Sequence, residues 1–127
     1  MIREVVKDEI DKQLKDLPRA KIARNSILNN GILIYIQSDQ KIISVVNKIA
    51  PEHLELNIKN YKKIVSKIKN AGSICLGKYA VMAMTDYNVG SNHVLPTNSS
   101  ARYSSGVSVN EFYKRISYIN LSKKGIE

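Results

Sequence analysis

Two short apolar runs limit what this chain can fold into. Residues 32–36 read ILIYI and residues 73–76 read SICL. Neither alternates polar with apolar, so each predicts a strand covered on both faces, as in a parallel sheet. Parallel strands need a crossover connection, usually a helix. The segments between the runs supply candidates. Ile42, Val45, Val46 and Ile49 recur at helical spacing after Ser38 and Asp39, either of which can cap a helix start. Ile58, Tyr61, Ile64, Val65 and Ile68 recur likewise toward Asn70, and Ala71 and Gly72 close that helix. Strands alternating with helices give an α/β class with a mainly parallel sheet and helices on both faces.

The flanking segments are consistent with that class. Ile2, Val5, Val6, Ile10, Leu14 and Leu17 form one apolar stripe, which Pro18 interrupts. A shorter helix through Ile22, Ala23 and Ile27 is stopped by Asn29, Asn30 and Gly31. Residues 54–58 predict a short strand and residues 116–121 a last one. Ser108 with Glu111 three residues on is a capping box. Residues 77–107 lack periodicity and are rich in Gly, Asn and Ser, the pattern of a functional or mobile loop. Mobility is expected to peak over residues 87–105. No repeat or linker divides the chain, so residues 1–127 are expected to be a single domain.

Charge and cysteine usage narrow the partners. Twenty Lys and Arg against 11 Asp and Glu give a net charge of +9, which permits attraction to phosphates. The densest basic set, Lys59, Lys62, Lys63, Lys67 and Lys69, shares its segment with the helical stripe above and reads as a solvated face. No RNA-binding signature, zinc-finger spacing or P-loop accompanies it, so nucleic acid is not an expected partner. Cys75 is the sole cysteine, which rules out an internal disulfide. Its apolar setting reads as a small core hydrophobe. No apolar run approaches 18 residues, and the charged N-terminus lacks a signal core, so a cytoplasmic location away from membranes is expected.

Two constellations could carry chemistry. Asp86 and His93 lie in DYNVGSNHVLPT, where Asn88, Gly90, Asn92 and Pro96 mark turns. By residue type this is either a solvated turn or a metal or substrate site. Glu52 and His53 lie in APEHLEL. Adjacent residues diverge on a strand or a helix, yet after Pro51 a tight turn can aim both into one cleft. Such a pair suits proton abstraction near neutral pH. It is equally compatible with a first-turn carboxylate favoured by a helix dipole, beside a half-buried histidine.

Four sequence words go further together than apart. APEHLEL (50–56), AGSICLG (71–77), TDYNVGSNHVLPT (85–97) and SARYSSGVSVNEFYKR (100–115) resemble the histidinol dehydrogenase family, in that family's order and spacing. The resemblance extends loosely over nearly the whole chain and matches an internal-to-C-terminal portion of the family. It implies a partial Rossmann-like domain and the NAD-dependent, zinc-assisted two-step oxidation of L-histidinol to L-histidine. By that resemblance, Glu52 and His53 supply the acid/base groups, Asp86 binds zinc, and His53, Asp86 and His93 face the substrate. Thr85 stands where the family usually has glycine, and threonine tolerates positive φ poorly, so an altered turn is expected there.

The family's remaining zinc ligands are a glutamine and a histidine upstream and a histidine downstream, and its nucleotide-binding half lies upstream. This sequence has no third histidine and no glycine-rich phosphate loop. The expectation is a truncated form that binds neither zinc nor NAD tightly alone and lacks dehydrogenase activity alone. The alternatives are a non-catalytic binding module, or one piece of a split enzyme acting with a complementary chain. The family's dimers imply a homodimer, and two-sided apolar strands short of cover supply a driving force for one.

Overall fold

The computed structural model describes residues 2–85, 87 and 89–126, with the backbone alone of Ile2. The chain divides into two compact units, Met1–Gln37 and Ser38–Glu127.

The first unit is a helical pair. Helix α1 (Ile2–Leu14) carries the predicted stripe and buries Leu14. It stops short of Leu17 because Pro18 disfavours helical backbone at the residue before it. Lys15 N–H donates to Lys12 O and Asp16 N–H to Gln13 O, which tightens the last turn. Helix α2 (Ala20–Asn30) is joined to α1 by Arg24 Nη1 and Asp11 Oδ1 at 2.9 Å. Both side chains are nearly half exposed, so the pair contributes at most about 1 kcal/mol. Gly31 ends α2, its N–H donating to Ile27 O at 2.8 Å. A Cβ there would stand 2.4 Å from that oxygen, so only glycine fits without a shift.

Residues 32–36 depart from expectation. They lie outside any helix or sheet, and Ile32, Leu33, Ile34 and Tyr35 are each at least 53% exposed. The residues have strand propensity, but a strand needs a neighbour to pair with. Among the described residues the sheet has two strands, and neither is this run. Residues 116–121 fail as a strand for the same reason, with Ile116, Tyr118, Ile119 and Leu121 exposed.

The second unit holds helix α3 (Asp39–Ile49), strand β1 (His53–Leu56), helix α4 (Tyr61–Val65), strand β2 (Ser73–Leu76) and helix α5 (Met82–Thr85). Three single 3-10 turns follow at Ser100–Arg102, Val109–Phe112 and Lys123–Gly125. The strands are parallel, with His53 opposite Ser73 and Leu56 opposite Leu76. Helix α4 is the crossover, so β1, α4 and β2 form a βαβ unit of the α/β class. Ser38 occupies the N-cap of α3 without a side-chain bond, and Asp39 sits in its first turn, where the dipole favours it. At the other end Ala50 adopts φ 51°, ψ 61° and is fully buried. A left-handed alanine costs about 1–2 kcal/mol relative to right-handed backbone. The turn it makes sends the chain into Pro51 and β1.

The basic helix is shorter than its periodicity predicts, and one side chain accounts for that. Asn47 Oδ1 accepts from Lys69 N at 2.7 Å and from Asn70 N at 3.1 Å. Asn47 Nδ2 donates to Lys67 O at 3.0 Å, and Asn70 Nδ2 returns a bond to Asn47 O at 2.9 Å. The amides that would extend α4 are therefore committed to α3. The core of this unit is Ile43, Ala50, Leu56, Ile64, Cys75 and Ala101. At the capping box, Ser108 Oγ accepts from Asn110 N at 3.3 Å instead of Glu111 N. Glu111 N–H is used in the 3-10 turn, donating to Ser108 O.

Replacing Asn47 with alanine removes three side-chain bonds at about 1 kcal/mol each, so stability falls by about 2–3 kcal/mol. Urea denaturation checks this against alanine at the exposed Asn57, expected to lie within about 0.5 kcal/mol of wild type. Cys75 is 4% exposed, and burial, then the Glu55 carboxylate, push its thiol above the usual range. An aromatic disulfide reagent is therefore expected to label the folded chain at least about a hundredfold more slowly than the urea-unfolded chain. The raised thiol also has a sign in stability. The folded state holds its proton to higher pH, so this contribution is intact below the ordinary thiol range and is lost as pH rises through the folded value. The stability difference between wild type and Cys75→Ala is expected to shrink only in that alkaline window.

Candidate active site

The start of β1 is fixed before its side chains are considered. Pro51 O accepts from Gly72 N at 3.0 Å and Glu52 O from Ser73 N at 2.8 Å, so both residues before the strand are already laddered to the chain entering β2. Gly72 is there for space. A Cβ on it would stand 2.6 Å from Glu52 O and 3.1 Å from Pro96 Cδ.

On this backbone Glu52 Oε1 lies 3.9 Å from His53 Nδ1, with the two side chains 38% and 39% exposed. The turn therefore brings both groups to one accessible surface. At 3.9 Å they are an ion pair when the imidazole is protonated, not a direct hydrogen bond. Each is free to exchange protons with a third molecule at the same place. Both side chains can accept a hydrogen bond or a proton there.

His93 is exposed, and its neighbours are tied down. Asn92 Oδ1 accepts from Val94 N at 2.7 Å, while Asn92 Nδ2 donates to Val107 O at 2.6 Å. This is the local turn that asparagine favours. Val107 N–H in turn donates to Val94 O at 3.0 Å. Three residues past His93, Pro96 is buried and packs at Gly72. The His93 segment is thereby brought to the Glu52 end of the sheet. Ser99 Oγ donates to Ile49 O at 2.6 Å and Arg102 Nη2 to Lys48 O, anchoring the following turn on the end of α3.

Asp86 and Asn88 lie outside the described residues. The residues ahead of Asp86 form α5. Thr85 Oγ1 donates to Met82 O at 2.6 Å, and Ser91 Oγ donates to Thr85 O at 2.9 Å. Among the described residues the non-glycines with positive φ are Ala50, Asn98 and Ser99. Thr85 therefore sits in ordinary helical backbone, which it adopts without strain.

One residue escaped the sequence reading. Glu55 Oε1 accepts from Met82 N at 2.8 Å. Strand alternation was the available signal, because His53 and Glu55, two apart, share a face of β1. Cys75, opposite Glu55 in the register, meets Met82 Sδ at 4.0 Å.

Other features bear on ligands. Among the described residues no three His, Cys, Asp or Glu side chains converge to hold a metal ion. A cleft of about 400 Å3 lies in the first unit, walled by Val6, Ile10, Leu14, Ile27, Ile32 and Leu33. Glu52, His53 and His93 are not among its lining residues. Among the described residues, no helix is long and apolar enough to cross a membrane.

Comparison with known proteins completes the picture. The family model of histidinol dehydrogenase matches residues 1–127. A histidinol dehydrogenase of Pelagibacter ubique is 90% identical over 119 residues, which are 94% of this chain and 28% of that protein. One from Listeria monocytogenes is 44% identical over 125 residues, covering 98% and 29%. The crystal structure of histidinol dehydrogenase from Elizabethkingia anophelis superposes with a TM-score of 0.79 at 43% identity, covering 91% of this chain and 27% of that one. The chain thus spans a little over a quarter of the length of the relatives it matches. With the fold, the sequence words and the full-length family match in agreement, the chain belongs to the histidinol dehydrogenase family.

Proposed function

We propose that residues 1–127 are part of one Rossmann-like domain that contributes the acid/base half of a histidinol dehydrogenase active site. The observation that carries this reading is the Glu52–His53 pair, 3.9 Å apart and accessible at the end of the parallel sheet. In the family reaction an alcohol is oxidised to an acid in two steps, and each step releases protons. His53 and Glu52 are the groups placed to take them up. His53 and His93 line the substrate side, and Asp86 serves as substrate-side residue and metal ligand.

A zinc site needs three or four protein ligands. The described residues do not provide such a set, and the sequence carries no glycine-rich loop for a dinucleotide. By the family resemblance Asp86 is the one zinc ligand this sequence carries, so tight binding of zinc or NAD is expected to need the family's remaining segments. Dehydrogenase activity requires the segments that the longer relatives carry, as part of the same chain or as a complementary one. A purely binding role is the second reading. It is favoured only by the accessibility of the pair, which any ligand could use. The reading as an enzyme of histidine biosynthesis places the protein in the cytoplasm, and its exposed apolar runs favour a homodimer.

The test is NAD reduction with L-histidinol and zinc, with and without a chain carrying the missing segments. Activity is expected only in the mixture. There, His53→Asn and Glu52→Gln are each expected to lower kcat by about 10²–10⁴-fold, the usual contribution of acid/base catalysis. Both side chains are more than a third exposed, so urea midpoints should move little. Full activity of both variants would overturn the assignment. Zinc per chain, measured after dialysis against a weak chelator, is expected to be well below one. Sedimentation equilibrium is expected to show a dimer that tightens with salt, as screening weakens the repulsion from the +9 charge.

A further inference from the structure

We propose that Glu55 is a positioning residue. It tethers Met82, ahead of the turn that leads in sequence to Asp86, to the sheet face that carries His53. The proposal rests on the active-site reading above, and its tether is visible independently of that reading.

Three anchors trace the segment after β2. At the C-terminal end of the sheet, Gly77 N–H donates to Leu56 O at 3.0 Å and Gly77 turns with φ 84°. Midway, Met82 N–H donates to Glu55 Oε1 at 2.8 Å, and Met82 Sδ meets Cys75 Sγ at 4.0 Å. At the N-terminal end, Pro96 packs at Gly72, beside Glu52 O. The segment therefore doubles back along the strands from one end of the sheet to the other. Its middle anchor is the Glu55 carboxylate.

Strand geometry makes that anchor specific. His53 and Glu55 occupy alternate positions of β1, so they stand on one face about 7 Å apart along the strand. Gly77 and Pro96 bound a stretch of about twenty residues, a long span to hold by its ends alone. The Glu55 bond fixes Met82 and the turn up to Thr85. Thr85 Oγ1 closes that turn on Met82 O, and Ser91 Oγ closes the next on Thr85 O. Asp86 follows Thr85 directly in sequence. Glu55 thus connects the strand bearing the acid/base histidine to the turn preceding the family's metal-binding aspartate. It acts through the backbone of Met82 and is not assigned a catalytic role.

The charge is not what the geometry requires. A glutamine carbonyl accepts from the same N–H, whereas alanine cannot. Amide exchange on the isotope-labelled chain tests the tether. Glu55→Ala is expected to speed exchange at Met82 about tenfold, the loss of one net hydrogen bond. Ser73, whose amide donates to Glu52 O, serves as the internal control and should not respond. Glu55→Gln should stay within about threefold of wild type at Met82. Cys75 should be labelled several-fold faster in the alanine variant, as Met82 lifts from it.

The functional arm uses the reconstituted histidinol assay. Alanine at position 55 should lower kcat about tenfold, with restoration by glutamine, which a loss of negative charge near the site would not give. Equal exchange at Met82 in wild type and alanine variant would overturn the tether. A broken tether with unchanged kcat would overturn the positioning role while sparing the site. No turnover in the wild-type mixture would overturn the active-site reading and the role that rests on it, and the exchange result would still decide the tether.

Discussion

The arrangement of the second unit depends on the side chain of Asn47. Its amide both accepts from and donates to the segment at residues 67–70, with the Asn70 amide returning a fourth bond. These bonds capture main-chain groups that would otherwise have extended α4. They set the point at which the chain leaves the crossover and enters β2. Everything downstream inherits that register: the Gly72 and Ser73 bonds to Pro51 and Glu52, the pairing of His53 with Ser73, and the packing of Pro96. An error of one residue in a strand moves each side chain to the opposite face. The placement of Glu52 and His53 thus traces back to a polar contact on a helix about five residues earlier.

The two sides of the sheet end are built by different means. On the β1 side, Glu52 and His53 are displayed by ladder bonds that begin before the strand itself. On the other, a long irregular segment is pinned by single side-chain bonds from Glu55, Asn92, Ser91, Ser99 and Arg102. The first is a rigid arrangement and the second a collection of individually modest ties. Under the proposed role, that division would suit a site whose Glu52 and His53 stay fixed beside a less regular loop.

Much of this was legible in the sequence, and the failures have a common cause. The helices α1, α2 and α3 follow directly from apolar spacing, because a helix satisfies its own backbone locally. The SICL run became a strand, buried at Cys75, because a partner exists for it. The ILIYI run and residues 116–121 have equal or better propensity and remain unpaired, since pairing depends on something their own residues do not encode. The length of the basic helix was misjudged because the competitor for its amides, Asn47, lies some twenty residues earlier. At the site, Glu52, His53 and His93 were singled out from their sequence words. Glu55 was passed over because a second carboxylate in HLEL looks like surface charge until its acceptor role is seen.

The unpaired run at residues 32–35 has a consequence for how this polypeptide behaves as a material. It is β-prone, free of charge and proline, and largely open to solvent. Those are the attributes of segments that stack into dry, interlocked cross-β zippers once two copies meet edge to edge. A single lysine or proline within such a run is the usual natural safeguard, and neither occurs there. The chain's positive charge lies outside this run and does not interrupt it. A charged substitution at Ile32, the most exposed of its aliphatic members, would act as a gatekeeper for that run.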